Sequence, residues 1–221
     1  IFHHLALDSF FQTHYFPFDW LGYMSEKLGV YINKQNEVIA VSKSTFQTLA
    51  SNGIQEENIT IIKNGINITG YECSQGRANP SILFLGGLET YKGADRLPQI
   101  HQQLQDQCSR QVRLDIAGRT GEIASEIEEY CSKCPSAFYH GFVSESQKIN
   151  LLQDAWALVI PSRVEGYGIV VIEANACCTP AVGTNVRGLR DSIEDGKTGL
   201  LVEEKIEKIA EGLAKIIQNE E

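Results

Sequence analysis

Basic residues are scarce in this chain: 19 Lys and Arg stand against 28 Asp and Glu, a formal charge of −9. That deficit argues against a nucleic-acid binder, which normally presents a basic face. Long hydrophobic runs are also missing, and none approaches the roughly 20 apolar residues of a membrane-spanning helix. No basic-then-apolar leader opens the sequence, which starts Ile1-Phe2-His3-His4 rather than with Met. From that opening we expect the chain to be cut from something longer. Disorder is excluded as well, because 43% of the residues are hydrophobic and only 21% are charged.

The six cysteines (Cys73, Cys108, Cys131, Cys134, Cys177 and Cys178) are not spaced as a disulfide framework. Cys131 and Cys134 make a lone C-x-x-C, with no second pair and no histidine pair at zinc-finger spacing. They read as i and i+3 on a helix that stops before Pro135. Without a secretory signal, the expectation is reduced thiols in a cytoplasmic protein. The patterns Asn58-Ile59-Thr60 and Asn67-Ile68-Thr69 match a glycosylation acceptor but carry little weight in that setting.

What is present is a rhythm. Glu37–Ser42 reads as a short buried strand, and Lys43–Asn52 as a helix stopped by Gly53. Ile59–Ile62 is a second strand, closed by the turn Asn64-Gly65. Residues 67–80 lose all periodicity and gather Gly, Ser, Asn and Pro80, the best linker in the sequence. Strands are then predicted at Ile82–Leu85, Val112–Ala117, Ala137–Tyr139, Leu158–Ile160, Ala181–Val182 and Gly199–Val202. Helices are predicted between them: Gly93–Gln107 (interrupted early by Pro98), Glu122–Cys131, a stretch opened by Ser144, Ile169–Ala176, and Glu204–Gln218. Ile149, Leu152 and Trp156 form the inward stripe of the helix after Ser144. Unbroken apolar strands alternating with helices imply an α/β fold, a doubly wound parallel sheet with helices on both faces. Such sheets bind ligands at the carboxyl ends of their strands.

The richest segment for chemistry is Pro161-Ser-Arg-Val-Glu165-Gly166-Tyr167-Gly168-Ile169-Val-Val-Ile-Glu173, which runs strand, glycine turn, helix. Its glycines let the backbone pass close to a ligand, and the new helix offers free N–H groups where its dipole favours an anion. Glu165 and Glu173 can both approach one extended ligand, and carboxylates accept hydrogen bonds from hydroxyls. A phosphate flanked by polyols is the guest this chemistry suits. The bland alternative is a tight turn followed by a solvated helix.

This run, continued through Ala-Asn-Ala-Cys177-Cys178-Thr-Pro180-Ala-Val, resembles the signature of family 4 glycosyltransferases (glycosyl transferases group 1), with two glutamates eight positions apart. Further blocks agree in order. Val38–Ser42 and Ile61-Ile-Lys-Asn64-Gly65-Ile66-Asn67 resemble the strand and turn that end the amino-terminal domain. Phe84-Leu-Gly86-Gly87-Leu-Glu-Thr-Tyr-Lys92-Gly93 resembles the first strand and loop of the donor domain. Gly188–Val202 resembles its closing segment.

The resemblance implies a GT-B fold, two Rossmann-like domains facing across a cleft. Residues 1–66 would end the acceptor-side domain, 67–80 link, 81–203 form the nucleotide-sugar domain, and 204–221 form a carboxyl-terminal helix. It implies transfer of a sugar from a nucleoside diphosphate to the hydroxyl of a sugar, lipid or glycan acceptor, with retention and without a metal or other cofactor. No D-x-D metal motif occurs in the sequence. By the resemblance, Glu173 holds the ribose, Glu165 contacts the donor sugar, and Lys92 neutralises the diphosphate. Gly86, Gly87 and the amides of Gly166, Tyr167, Gly168 and Ile169 lie near the diphosphate and sugar, and Phe142 and Val143 lie beside the base. His3 would face the donor sugar from the other domain, with His4 a rival. Peripheral membrane contact would fall to the acceptor-side part not contained here.

Two positions depart from the family. It commonly has Arg where Gly87 stands, leaving Arg119 or Arg163 as candidate replacements. It prefers Gly where Cys178 stands, a change expected to affect local packing alone. A glycosidase would need its two carboxylates about 5–9.5 Å apart across one bond, whereas Glu165 and Glu173 match positions that hold different parts of a nucleotide sugar. A nucleotide-sugar epimerase of the same fold fits the glutamate block and Asn64-Gly65 less well. A non-catalytic relative that still binds nucleotide sugars is the other reading. Lacking most of an acceptor domain, the chain alone is expected to transfer little or no sugar; full turnover on any acceptor, followed by release of nucleoside diphosphate, would overturn that expectation.

Overall fold

The computed structural model describes residues 18–74, 77 and 79–220. A small parallel pair comes first, β1 (Val38–Ala40) beside β2 (Ile59–Ile61). It is flanked by α1 (Phe18–Ile32) and α2 (Lys43–Ser51). Val30, Val38, Ala40, Leu49, Ile54 and Ile59 bury their side chains together there. Ser42 caps α2, accepting from the Thr45 N–H, which supplies one of the helix's otherwise unpaired donors.

After a stretch without regular elements comes the main sheet, built from β3 (Ser81–Leu85), β4 (Arg113–Ala117), β5 (Ala137–Tyr139), β6 (Ala157–Ile160), β7 (Ala181–Thr184) and β8 (Gly199–Val202). All six strands are parallel, in the order β5-β4-β3-β6-β7-β8. The intervening helices are α3 (Leu97–Gln107), α4 (Ala124–Lys133), α5 (Glu145–Asp154), α6 (Ile169–Ala176) and α7 (Arg187–Ser192), with α8 (Ile206–Glu220) closing the chain. Because side chains alternate along a strand, Ile82 and Phe84 join the core under α3 and α8 while Leu83 joins the one under α5 and α6. Both faces are therefore buried, as the unbroken apolar strands require.

The winding starts at β3, runs outward to β5, and returns to β6 on the other side of β3. At that reversal the loops leaving β3 and β6 diverge and open a crevice at the strand ends.

Several sequence expectations are corrected by the structure. Gly93–Arg96 is not helical in the α sense; two 3₁₀ turns precede α3. Pro98 sits in the first turn of α3, where a missing N–H costs nothing, so it starts the helix rather than interrupting it. Trp156 does not continue the α5 stripe: α5 ends at Asp154, and Trp156 packs in the opposite core from Leu152. Helices α1 and α7 have no counterpart in the sequence reading. The former carries exposed Phe18, Leu21, Met24, Leu28 and Ile32; the latter has six residues, too few to display a period.

The cysteines hold the largest correction. Cys73 and Cys178 form a disulfide across a sequence separation of 105, with Cα atoms 5.0 Å apart, within the usual span of such bonds. No spacing rule signals this pair, because only the fold carries the irregular stretch at Tyr71–Cys73 onto the carboxyl-terminal turn of α6. Cys178 also has φ 58°, a left-handed conformation that favours glycine. Its departure from the family's Gly is therefore a backbone matter as well as a packing one. Cys108, Cys131, Cys134 and Cys177 form no disulfide among the described residues, and Cys131 and Cys134 lie in the last turn and at the cap of α4.

Cross-linking over so long a loop restricts the unfolded chain, an effect typically worth about 2–4 kcal/mol. Reductant, or Cys73→Ser, is expected to lower the melting temperature by roughly 5–15 °C for a domain of this size. Reductant should leave the Cys73→Ser variant unmoved. Identical melting of the wild type with and without reductant would show the two sulfurs unpaired.

Candidate functional site

A cleft of about 490 Å³ opens at the β3–β6 reversal. The loop after β3 contributes Gly86, Gly87, Glu89, Tyr91 and Lys92; the loop after β6 contributes Ser162, Glu165, Gly166, Tyr167 and Gly168. The start of α6 adds Ile169 and Val170, Arg119 enters from the loop after β4, and Asn64 from the turn after β2.

Close backbone approach holds the two principal loops together. Gly93 has φ +74°, and a Cβ there would overlap the Pro161 carbonyl, so only glycine lets the β3 loop lie against the exit of β6. That contact is reinforced by Arg163, whose N–H donates to the Tyr91 carbonyl at 2.9 Å. The Arg163 guanidinium grips both Asp95 oxygens at 2.7 Å and also bonds the Thr90 carbonyl. Burial would lift the Asp95 carboxyl, but the bonded guanidinium outweighs it and holds the group below the usual carboxylate range.

Within this frame Lys92 Nζ meets Glu165 Oε2 at 2.8 Å. The other Glu165 oxygen accepts from the Gly166 N–H at 3.1 Å. Gly168 is the N-cap of α6, has φ 76°, and offers no side-chain acceptor to the first turn. Helix N–H groups without a capping side chain are available to a ligand anion, with the dipole in favour. The cleft thus combines a lysine, a carboxylate and an uncapped helix start, the equipment for holding an anion next to a hydroxylated group.

The structure brings most of the sequence-predicted residues to this one place: Gly86, Gly87, Lys92, Glu165, Gly166, Tyr167, Gly168 and Ile169 all line it. Phe142 and Val143 do not line it. They sit in the loop after β5, tied to the end of β4 by the bond from the Gly118 N–H to the Gly141 carbonyl at 2.9 Å; Phe142 is largely exposed, at 78%. His3 lies outside the described residues.

Glu173 does not line the cleft either. It is buried on α6 and belongs to a network that sequence reasoning missed. Lys148 Nζ of α5 lies 2.6 Å from Glu173 Oε1 and 3.0 Å from Glu145 Oε2. The Tyr71 hydroxyl donates to Glu145 at 2.7 Å and lies 3.4 Å from Glu173. Burial opposes the Lys148 charge, but its bonds to Glu173, Glu145 and Tyr71 prevail and raise it above the ordinary lysine range. Burial, then the bonded Glu145, push the Tyr71 hydroxyl up. The i, i+3 pair Glu145/Lys148 is visible in sequence as a helix-surface ion pair; nothing in sequence connects it to Tyr71 or Glu173.

Residues 76–221 match the family described as Glycosyl transferases group 1. The capsular polysaccharide biosynthesis glycosyltransferase CapM of Staphylococcus aureus is 27% identical over 218 residues, 90% of this chain and 56% of that protein. An uncharacterized 41.2 kDa protein from the cps region of Klebsiella pneumoniae is 26% identical over 192 residues, 80% of this chain and 52% of that one. Among solved structures, Anabaena HepE in complex with UDP and glucose superposes with a TM-score of 0.76 at 20% identity, covering 89% of this chain and 58% of HepE. The chain spans about half the length of the curated relatives it matches.

Removing one partner of a buried ion pair strands the other. Lys148→Met is accordingly expected to destabilise the chain by about 1–3 kcal/mol, between the exposed-pair and buried-pair ranges because Lys148 is partly solvated. Adding Glu173→Gln should restore part of the loss. Urea unfolding of the two single variants and the double variant measures the coupling; strictly additive losses would dissolve the network.

Proposed function

The chain belongs to the glycosyl transferases group 1, and on that premise we propose that it is the donor-binding part of an enzyme that moves a sugar from a nucleoside diphosphate to an acceptor hydroxyl. The observation that carries the reading is the convergence, at the β3–β6 reversal, of Lys92, Glu165 and the glycine turn that opens α6. A cation beside an uncapped helix start suits a diphosphate, and carboxylates nearby suit sugar hydroxyls.

In this proposal the diphosphate lies between Lys92 and the amides of Gly166 to Ile169, over Gly86 and Gly87. Glu165 accepts from the donor sugar, Glu173 takes the ribose hydroxyls, and Phe142 and Val143 border the base. His3 approaches the sugar from the acceptor side. Transfer follows the family 4, retaining course: the acceptor oxygen bonds the anomeric carbon on the face that the diphosphate leaves. The bond from that carbon to the phosphate oxygen breaks, and the hydroxyl proton passes to the departing phosphate. Lys92 meets the charge as it develops on the leaving group, which is where a fixed cation lowers a barrier. No metal is required by this scheme. The similarity to CapM, a capsular polysaccharide biosynthesis glycosyltransferase, supports a glycan, glycolipid or polysaccharide as the product.

The test is thermal stability of the chain against UDP, GDP, ADP and their sugar derivatives, with Glu173→Gln as control. At a ligand concentration of 100 times Kd, linkage gives about 2.7 kcal/mol, or roughly 5–10 °C for a domain of this size. A shift with one base that Glu173→Gln abolishes is the expected result. No shift with any nucleotide, from protein that melts cooperatively, would turn the reading towards a relative that has lost its donor site.

A further inference from the structure

We propose that Arg119 is the second cation of the diphosphate site, doing from the loop after β4 what no side chain at Gly87 can do. The proposal rests on the nucleotide-sugar reading and names which residue of this chain completes it.

The charges of the cleft leave Arg119 in that position. The Lys92 charge is already matched by Glu165 at 2.8 Å. Glu89 lines the same cleft and brings a further carboxylate. That carboxylate lies against Gly87, where an added Cβ would overlap its oxygens. Position 87 therefore presents an anion to the cleft instead of a cation. Arg163 is committed elsewhere, forked onto Asp95 at 2.7 Å from both nitrogens and bonded to the Thr90 carbonyl. Arg119 lines the cleft, is exposed, and has no carboxylate partner among the described residues.

Its backbone is hydrogen-bonded to the loop that carries Gly87. The Leu88 N–H donates to the Arg119 carbonyl at 3.1 Å. Gly118, at φ +154°, lies so close to the Gly86 carbonyl that a Cβ would overlap it. The loop after β4 is thus laid directly on Gly86–Leu88, with the Arg119 side chain exposed at the cleft. A planar fork of donors matches two phosphate oxygens at once, which an ammonium does not. Glu89 has the opposite effect, since it competes with the same diphosphate for the same cations.

The test is binding to the full 221-residue chain, measured by calorimetry with whichever of UDP, GDP and ADP binds most tightly and with its monophosphate. Arg119→Gln is expected to weaken the diphosphate about tenfold or more, the usual size of a charge-assisted bond, and the monophosphate less than about threefold. Glu89→Gln, which removes only the opposing charge, is expected to tighten the diphosphate about threefold, with a smaller effect on the monophosphate. Undiminished diphosphate binding by Arg119→Gln, or equal losses for both nucleotides, would overturn the assignment while leaving the nucleotide reading intact. Diphosphate binding unchanged or weakened in Glu89→Gln would overturn the charge balance on which it stands. No binding of any of the three diphosphates to the wild type would sink the nucleotide reading, and this proposal with it.

Discussion

A parallel sheet covered by helices on both faces leaves polar backbone open only along its two edge strands and at the strand ends, and most of this molecule follows from that constraint. The helices must cross from strand to strand, so the loops collect at the two edges of the layer. Only where the winding turns back on itself do neighbouring loops part, and here that place lies between β3 and β6. The two halves of the winding are rejoined at this point by side chains: Lys92 from the first, Glu165 from the second. Arg163 and Asp95 repeat the arrangement a few residues away. Each pair links the β3 exit to the β6 exit, which the close approach of Gly93 to the Pro161 carbonyl also joins.

That local arrangement also resolves an apparent conflict with the overall charge. A chain with a formal charge of −9 is a poor collector of anions at long range, and screening removes most of that repulsion beyond about 8 Å in physiological salt. Inside a walled cleft, fixed dipoles and a few close charges dominate. The uncapped start of α6 acts there without adding any basic residue to the composition.

Legibility in the sequence divides along the same line. The strands of the main sheet are apolar runs with nothing else to be, and Ile169–Ala176 and Gly199–Val202 have the bounds read from the pattern. The cleft loops were readable because glycine spacing and charged residues sit close together in sequence. Phe142 and Val143, placed by resemblance alone, lie on a neighbouring loop off the cleft lining. The network around Glu173 was not readable, since Tyr71, Lys148 and Glu173 come from three separate segments and no local pattern joins them. Trp156 misled because a residue two positions past a helix still falls on its periodicity; the chain turns after Asp154 and sends the ring into the other core. The Cys73–Cys178 bond was invisible for the same reason as Tyr71: contact across 105 positions is a product of the fold, with no local pattern to announce it.

That bond gives the molecule a covalent topology of its own. It closes a ring running from Cys73 to Cys178, and β3 to α6, with Lys92 and Glu165 among them, all lie on it. A single peptide cut within the ring leaves both pieces in one particle, separable on a gel only after reduction. A cut between α1 and β2, or beyond β7, gives pieces that a denaturing gel separates without reduction. The loops that leave β3, β4 and β6 for the cleft are thus the ones whose nicking the chain outlasts as a single covalent molecule.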